Sequence, residues 1–216
     1  MTAGEAHDLY LAAIRAGNRR QALGVVDLAL AGGMDARTLY LQVFQPAMHE
    51  IGRLWQENLI TVADEHLATA VTQLAMSRLY EQLFGDRADA GPLLVAACAQ
   101  DERHELGLRM ICDLLELDGW DTVFLGASVP VEDLVRMVVE RRPEVVALSA
   151  SITPHLARVR EAVQAIREAM PEGAPVIAIG GRAFAGDEAL AERMGADLTA
   201  KDAVEVAERL KERFAA

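Results

Sequence analysis

Three short segments of the sequence gather residue types that can do chemistry. Asp101-Glu102-Arg103-His104-Glu105-Leu106-Gly107 sets an imidazole two residues after a carboxylate. Ser149-Ala150-Ser151-Ile152-Thr153-Pro154 is rich in hydroxyls, and Gly180-Gly181 is free of side chains. A carboxylate at Glu102 can accept a hydrogen bond from one imidazole nitrogen of His104 and leave the other as a lone-pair donor to a metal ion. Gly107 lets a bulky ligand approach the backbone one turn further on. A lone histidine in a loop carries little meaning, so the weight lies on whether these segments meet.

The elements that carry them say that they do. Short apolar runs at Leu93–Ala97, Thr122–Leu125, Val145–Leu148 and Val176–Ile179, with a weaker one near Asp197–Thr199, alternate with amphipathic helical segments at about 105–118, 131–141, 155–169, 186–194 and 202–215. Strand-helix alternation predicts right-handed crossovers and a parallel sheet covered on both faces, a flavodoxin-like (Rossmann-like) doubly wound domain over 91–216. Each chemically active segment lies just past a strand end. Parallel topology therefore turns all three towards one crevice.

Before this domain, from Glu5 to Phe84, apolar residues recur at helical spacing. The start and stop residues predict four helices: about 5–16, ended by Gly17; a second capped by Asn18 and ended by Gly32-Gly33; a third capped by Asp35 and interrupted at Pro46; and a long fourth opened by the Thr61/Asp64 capping box. Together they make a four-helix bundle over 1–86. Gly85 to Pro92 reads as a linker.

The chain has 216 residues, with 21 Lys and Arg against 33 Asp and Glu, a formal net charge of −12. Such a balance argues against direct nucleic-acid or anionic-membrane binding. No apolar stretch reaches the ~20 residues of a membrane span and the N-terminus has no basic region before an apolar core, so the expected location is the cytoplasm. Cys98 and Cys112 lie in apolar runs without metal-like spacing and read as buried, reduced thiols. Gly180-Gly181 lacks the other glycines of a dinucleotide fingerprint, and no phosphate-loop lysine follows a glycine-rich turn. Ser149 and Ser151 lack a nucleophile elbow. The acids along Glu161–Glu172 and Glu188–Glu212 read as solvated helix faces. These observations disfavour a nucleotide-hydrolysing enzyme and give no support to a hydrolase triad.

His104 with Gly107, then Ser149, then Gly180-Gly181 closely resembles the Asp-x-His-x-x-Gly, Ser-x-Leu, Gly-Gly signature of cobalamin-binding domains. The resemblance implies that His104 coordinates cobalt from below and that the displaced dimethylbenzimidazole tail enters a slot lined by Ser149 and Gly180-Gly181. It extends the cofactor-binding set to Glu102, Arg103, Gly107, Ser151 and Thr153. Glu102 stands where the signature more often has Asp, and Ser151 where it has Leu.

In the bundle, Trp55, then nine intervening residues, then Glu65-His66 resembles the CarH-type cobalamin photoreceptors, whose helical cap covers the upper face of the cofactor. An indole beside polar groups suits an adenosyl group. The likeness implies a stand-alone photoreceptor holding adenosylcobalamin or another alkylcobalamin, without the family's DNA-binding module. It would form a homo-oligomer, dimer or tetramer, and signal to a partner protein. Gln56 follows Trp55 where relatives can carry a histidine able to reach cobalt after light removes the alkyl group, which leaves His66, His49 and His155 as alternatives. A likeness to photocobilins adds biliverdin as a second chromophore. A corrinoid carrier of a methyltransferase system and a sequestering cobalamin binder are the competing readings.

Overall fold

The computed structural model describes residues 1–83, 91–184 and 187–214. Most of the expected linker, including Gly85 to Ala90, lies outside them. The chain divides into two compact units, Met1–Arg87 and Ala88–Ala216.

The first unit is helical. Thr2 and Glu5 form a capping box at the head of α1 (Ala3–Arg15), and the Asn18 side chain caps α2 (Arg19–Ala31). Asp35 caps the single turn α3 (Ala36–Thr38), which runs through a π-helical segment, Leu39–Phe44, into α4 (Gln45–Gln56). The interruption expected at Pro46 takes this form: proline offers no N–H and crowds the carbonyl four residues earlier, at Gln42, and the wider π turn makes room for it. Thr61 and Asp64 exchange backbone-to-side-chain bonds of 2.8 and 3.2 Å and open α5 (Val62–Leu83).

Tyr10, Tyr40 and Phe44 meet inside this unit, with ring centroids 5.0 Å apart for Tyr10–Phe44 and 5.7 Å for Tyr40–Phe44. A buried polar chain crosses the same core: the Tyr10 hydroxyl donates to Thr72 Oγ1 at 3.0 Å, and the Thr72 hydroxyl donates to the Ala68 carbonyl at 2.9 Å, with Met48 Sδ 3.3 Å away. Every buried hydroxyl of that chain is thereby satisfied.

In the second unit β1 (Leu93–Cys98), α6 (Leu106–Leu117), β2 (Asp121–Gly126), α7 (Val131–Arg141), β3 (Val145–Ser149), α8 (Leu156–Ala169), β4 (Val176–Gly180), α9 (Glu188–Arg193), β5 (Leu198–Thr199) and α10 (Ala203–Phe214) follow in order. The strands are parallel and ordered β2-β1-β3-β4-β5. Chain order reverses between β1 and β3, which is where such sheets bind ligands. One face carries Leu94, Ala96, Cys98, Val145, Ala147 and Ala178 against α6 and α10. The other carries Val95, Val146, Leu148, Ile177 and Ile179 against α7, α8 and α9. Burial on both faces explains why the strands read as continuous apolar runs rather than alternating ones. No helix of the described residues is long and apolar enough to cross a membrane.

Candidate cofactor site at the carboxyl edge of the sheet

The register decides the convergence. Cys98 pairs with Ser149, and Ser149 with Gly180, so β1, β3 and β4 end level and their following segments share one edge.

Glu102 is the hub of that edge. Its residue is wholly buried, and each carboxylate oxygen serves a different segment. Oε1 accepts the His104 backbone N–H at 2.8 Å and the His104 ring Nδ1 at 2.5 Å. Oε2 accepts the Ser151 N–H at 2.6 Å and the His155 ring Nδ1 at 3.0 Å. Burial alone would raise the Glu102 pKa, but these four donors, led by His104, outweigh it and hold the carboxyl well below the usual carboxylate range. An ionised Glu102 places the His104 ring hydrogen on Nδ1. The other nitrogen, Nε2, then carries the lone pair that a metal ion requires.

The loop bearing His104 is anchored from below and from the side. Asp101 takes a positive φ of 73°. Its N–H donates to Ser128 Oγ at 3.1 Å, while the Ser128 N–H donates to the Glu102 carbonyl at 2.8 Å. Arg158, in the first turn of α8, reaches Asp101 Oδ2 at 3.3 Å. The Cys98 thiol sits under the loop, 3.7 Å from the His104 carbonyl, and burial with the nearby Glu102 and Glu105 carboxylates pushes its pKa up to about 12. It is an inert thiol, as its apolar setting predicts.

The remaining expected residues divide by position. Ser149 is buried, and strand alternation sets it and Gly180 on the α6/α10 face beside Cys98, Ala96, Ala147 and Ala178, a strip of small side chains. Gly181 takes φ +97°, and a Cβ there would fall 2.2 Å from the Ala150 carbonyl oxygen, so this glycine is required by the close approach of two strand ends. Gly107 is exposed, and a Cβ on it would meet nothing within 4 Å. Arg103 is exposed, as is Thr153 at the head of the single 3-10 turn Thr153–His155. Ser151 contributes its backbone N–H to Glu102.

His155, Ser128 and Arg158 were not among the residues singled out for this edge. For His155 the signal was its place in the same strand-end segment as Ser149 and Ser151. The structure puts its ring Nδ1 3.0 Å from Glu102 Oε2.

In the first unit Trp55 is the penultimate residue of α4 and is 38% exposed. Glu65 stands in the first turn of α5 and His66 directly after it, across the Glu57–Thr61 connection, where Asn58 has φ 58°. The His66 ring Nδ1 lies 2.6 Å from Glu65 Oε2, and the Thr69 hydroxyl donates to Glu65 Oε1 at 2.9 Å. This repeats, in an exposed setting, the carboxylate–imidazole pairing seen at Glu102–His104. His49 is an exposed residue of α4.

A B12 binding domain model matches residues 92–210, more than half of the chain. The chain belongs to the B12 binding domain family. A second B12 binding domain model matches residues 6–80. Among relatives of this B12-binding chain, the HTH-type transcriptional repressor CarH of Myxococcus xanthus is 32% identical over 184 residues, 85% of this chain and 60% of the repressor. The chain thus spans about 60% of that relative's length. Trimethylamine corrinoid protein 1 of Methanosarcina mazei is 23% identical over 185 residues, 85% of each protein. In fold, the B12-binding chain is similar to the monomethylamine corrinoid protein of Methanosarcina barkeri, with a TM-score of 0.85 and 23% identity over 97% of this chain and 99% of that one.

The residues present fit a cobalt corrin. Among the described residues no group of three or more His, Cys, Asp or Glu could hold a metal ion. A corrin brings its own four equatorial nitrogens, so one imidazole with its tautomer fixed is the donor set it needs. The open space over Gly107 and the small-residue strip at Ser149 and Gly180 suit a macrocycle and its tail respectively.

Proposed function

We propose that the chain is a cobalamin-binding photoreceptor that signals to a partner protein through a change in domain packing or oligomer state. The observation that carries this reading is the half-exposed Trp55 indole set across a short connection from the Glu65–His66 pair. With the 32% identity to CarH along most of the chain, it favours a cap built to sense the upper group of the cofactor. Bound alkylcobalamin supplies a cobalt–carbon bond that visible light cleaves.

The protein's share is binding and orientation. His104, with its Nδ1 hydrogen on Glu102, would offer Nε2 to cobalt, and Ser149, Gly180 and the small residues beside them would receive the nucleotide tail. Trp55 would meet the upper group through its apolar ring, and Glu65 with His66 would offer it polar contacts. Moving a two-state equilibrium from 1:99 to 99:1 takes about 5.5 kcal/mol of differential affinity, which bounds what these three upper contacts must contribute together. The net charge of −12 favours a protein partner over direct contact with nucleic acid.

A second reading, a corrinoid carrier of a methyltransferase system, is favoured by the match to 85% of the length of trimethylamine corrinoid protein 1. Both readings share the lower face, so the test lies on the upper one. The chain is reconstituted with adenosylcobalamin and, separately, with methylcobalamin plus biliverdin, and absorption and size-exclusion profiles are recorded in darkness and after green light. The photoreceptor reading expects a light-dependent spectrum and a shift in elution that Trp55→Ala weakens. Unchanged elution with methylcobalamin as the preferred ligand would favour the carrier.

A further inference from the structure

Helix α5 is apolar on two sides. Ala68, Val71, Ala75, Met76 and Leu79 are buried in the first unit. A second row faces outwards: Ala63, Leu67, Ala70, Leu74 and Ser77 are all exposed, the two leucines at 47% and 41%. Within that row the spacing is seven, with Leu67 and Leu74 in one series and Ala63, Ala70 and Ser77 in the other, offset by three and four positions. Such a double series is what a helix shows when another helix packs along its length. The Ser77 hydroxyl donates to the Gln73 carbonyl at 2.9 Å, which turns its polarity back onto its own helix. Leu67 is seated over Gly17, where an added Cβ would come within 2.8 Å of its Cδ2.

We infer that this row is the seat of a second copy of the chain, α5 against α5 in antiparallel sense about a two-fold axis near residue 72. The inference goes beyond the cofactor reading and does not rest on it. A second copy is favoured over an unrelated partner because the row complements itself. Turned end for end about residue 72, it sets Leu67 against Ser77 of the other copy and Ala70 against Leu74, so that each large side chain meets a small one. Asp64 and Arg78 stand on one edge of the row, near its opposite ends, and the same rotation brings Asp64 of each copy towards Arg78 of the other. Both groups can take a second partner. Asp64 holds Thr61 through Oδ2 alone, at 2.8 and 2.7 Å, and Arg78 spends part of its five-donor fork on Asp27 of α2 at 3.1 Å. A parallel pairing would instead stack leucine on leucine and like charge on like charge, which disfavours it. The row from residue 63 to residue 77 is about 21 Å long. A contact of that length covers well under the ~1,200 Å² of a tight complex, so the dimer is expected to be weak and to depend on concentration.

Sedimentation velocity of the full chain, from about 10 to about 500 µM, first without corrin and then with adenosylcobalamin in darkness, is the test. The parent chain is expected to move from monomer to dimer over that range. Leu67→Glu/Leu74→Glu, whose two positions are exposed and leave the core of the unit untouched, is expected to weaken the association by roughly tenfold or more by burying unpaired charge, with an unchanged thermal melt. Register is read by cysteine pairs. Leu67→Cys and Ser77→Cys chains mixed under mild oxidation are expected to form a disulfide-linked dimer, while neither does so alone, because like positions lie about 15 Å apart in the antiparallel pair; the native thiols Cys98 and Cys112 are buried. A parent chain that stays monomeric to the highest concentration overturns the inference and leaves the row to a different partner. A dimer that the double glutamate variant does not weaken overturns it too, as does efficient linking of Leu67→Cys to itself, the mark of a parallel pair. A chain that fails to bind adenosylcobalamin would sink the cofactor reading and leave the corrin-free result standing.

Discussion

Replacing Glu102 by glutamine keeps the shape of the side chain and removes its charge, and the outcome can be worked from its four hydrogen bonds. The carboxylate accepts from His104 N–H, His104 Nδ1, Ser151 N–H and His155 Nδ1. An amide has one oxygen, so Glu102→Gln can satisfy one pair of donors and must set its own NH2 group against the other. Bonds to an ionised acceptor contribute about 1.5–3 kcal/mol each and neutral ones about 0.5–1.5. Two bonds are lost and two weakened, offset in part by no longer burying a charge. The net loss should fall near the ~3–5 kcal/mol seen when one partner of a buried ionic contact is removed. Because the folded-state pKa of Glu102 is depressed below its ordinary 4.5, the contribution is complete above that pH and is lost as pH falls towards the folded value. At one pH unit below 4.5 the gap between parent and variant should have narrowed by about 1.4 kcal/mol. Urea unfolding followed by Trp120, which is buried in the second unit, in a Trp55→Phe background measures both numbers. A loss under about 1 kcal/mol at pH 7, or a gap that does not narrow in acid, would refute the assignment of Glu102 as the ionised hub.

Gly181→Ala should cost about 2–4 kcal/mol in the same assay, since the new Cβ meets the Ala150 carbonyl and φ is +97°; a loss below 1 kcal/mol would mean the strand ends can separate freely. In the bundle, Tyr10→Phe should cost about 1 kcal/mol because Thr72 keeps its bond to Ala68, whereas Thr72→Val strands a buried Tyr10 hydroxyl and should cost about 1–3 kcal/mol. Thermal melts of the two variants check the order, and the reverse order would contradict it. Cys98 and Cys112 are buried, so a thiol reagent at pH 8 should label them at the rate of unfolding, and fast labelling of the native chain would refute their burial.

The fold was largely legible because its signals are local. Capping residues at Thr61 and Asp64, the stop at Gly17, and four apolar runs separated by amphipathic segments each reflect short-range chemistry, and parallel topology then forces the strand ends together. The pairing of Glu102 with His104 was legible for the same reason, being two residues apart. The bond from His155 was not, because it depends on how the chain turns between Ile152 and His155 and on the reach of a ring across 53 positions. Ser128 was hidden likewise: its φ of 52° and its two bonds to the Asp101-Glu102 backbone arise from the path the chain takes on leaving β2. Pro46 announced a disturbance, but not whether it would break, kink or widen the helix, and the widened stretch that forms carries the buried Tyr40 and Phe44.

That widened segment acts as a phase adjuster for everything downstream. A regular helix advances about 100° per residue, so a stretch wound more loosely over Leu39–Phe44 changes the compass bearing of each later side chain. Trp55 sits eleven positions beyond it and inherits the offset. Deleting one residue within 39–44 would remove the extra length and tighten the winding together, and the two changes nearly cancel, so the indole would keep its bearing; replacing the loose turn by a regular one without a deletion would instead swing it by roughly a quarter turn.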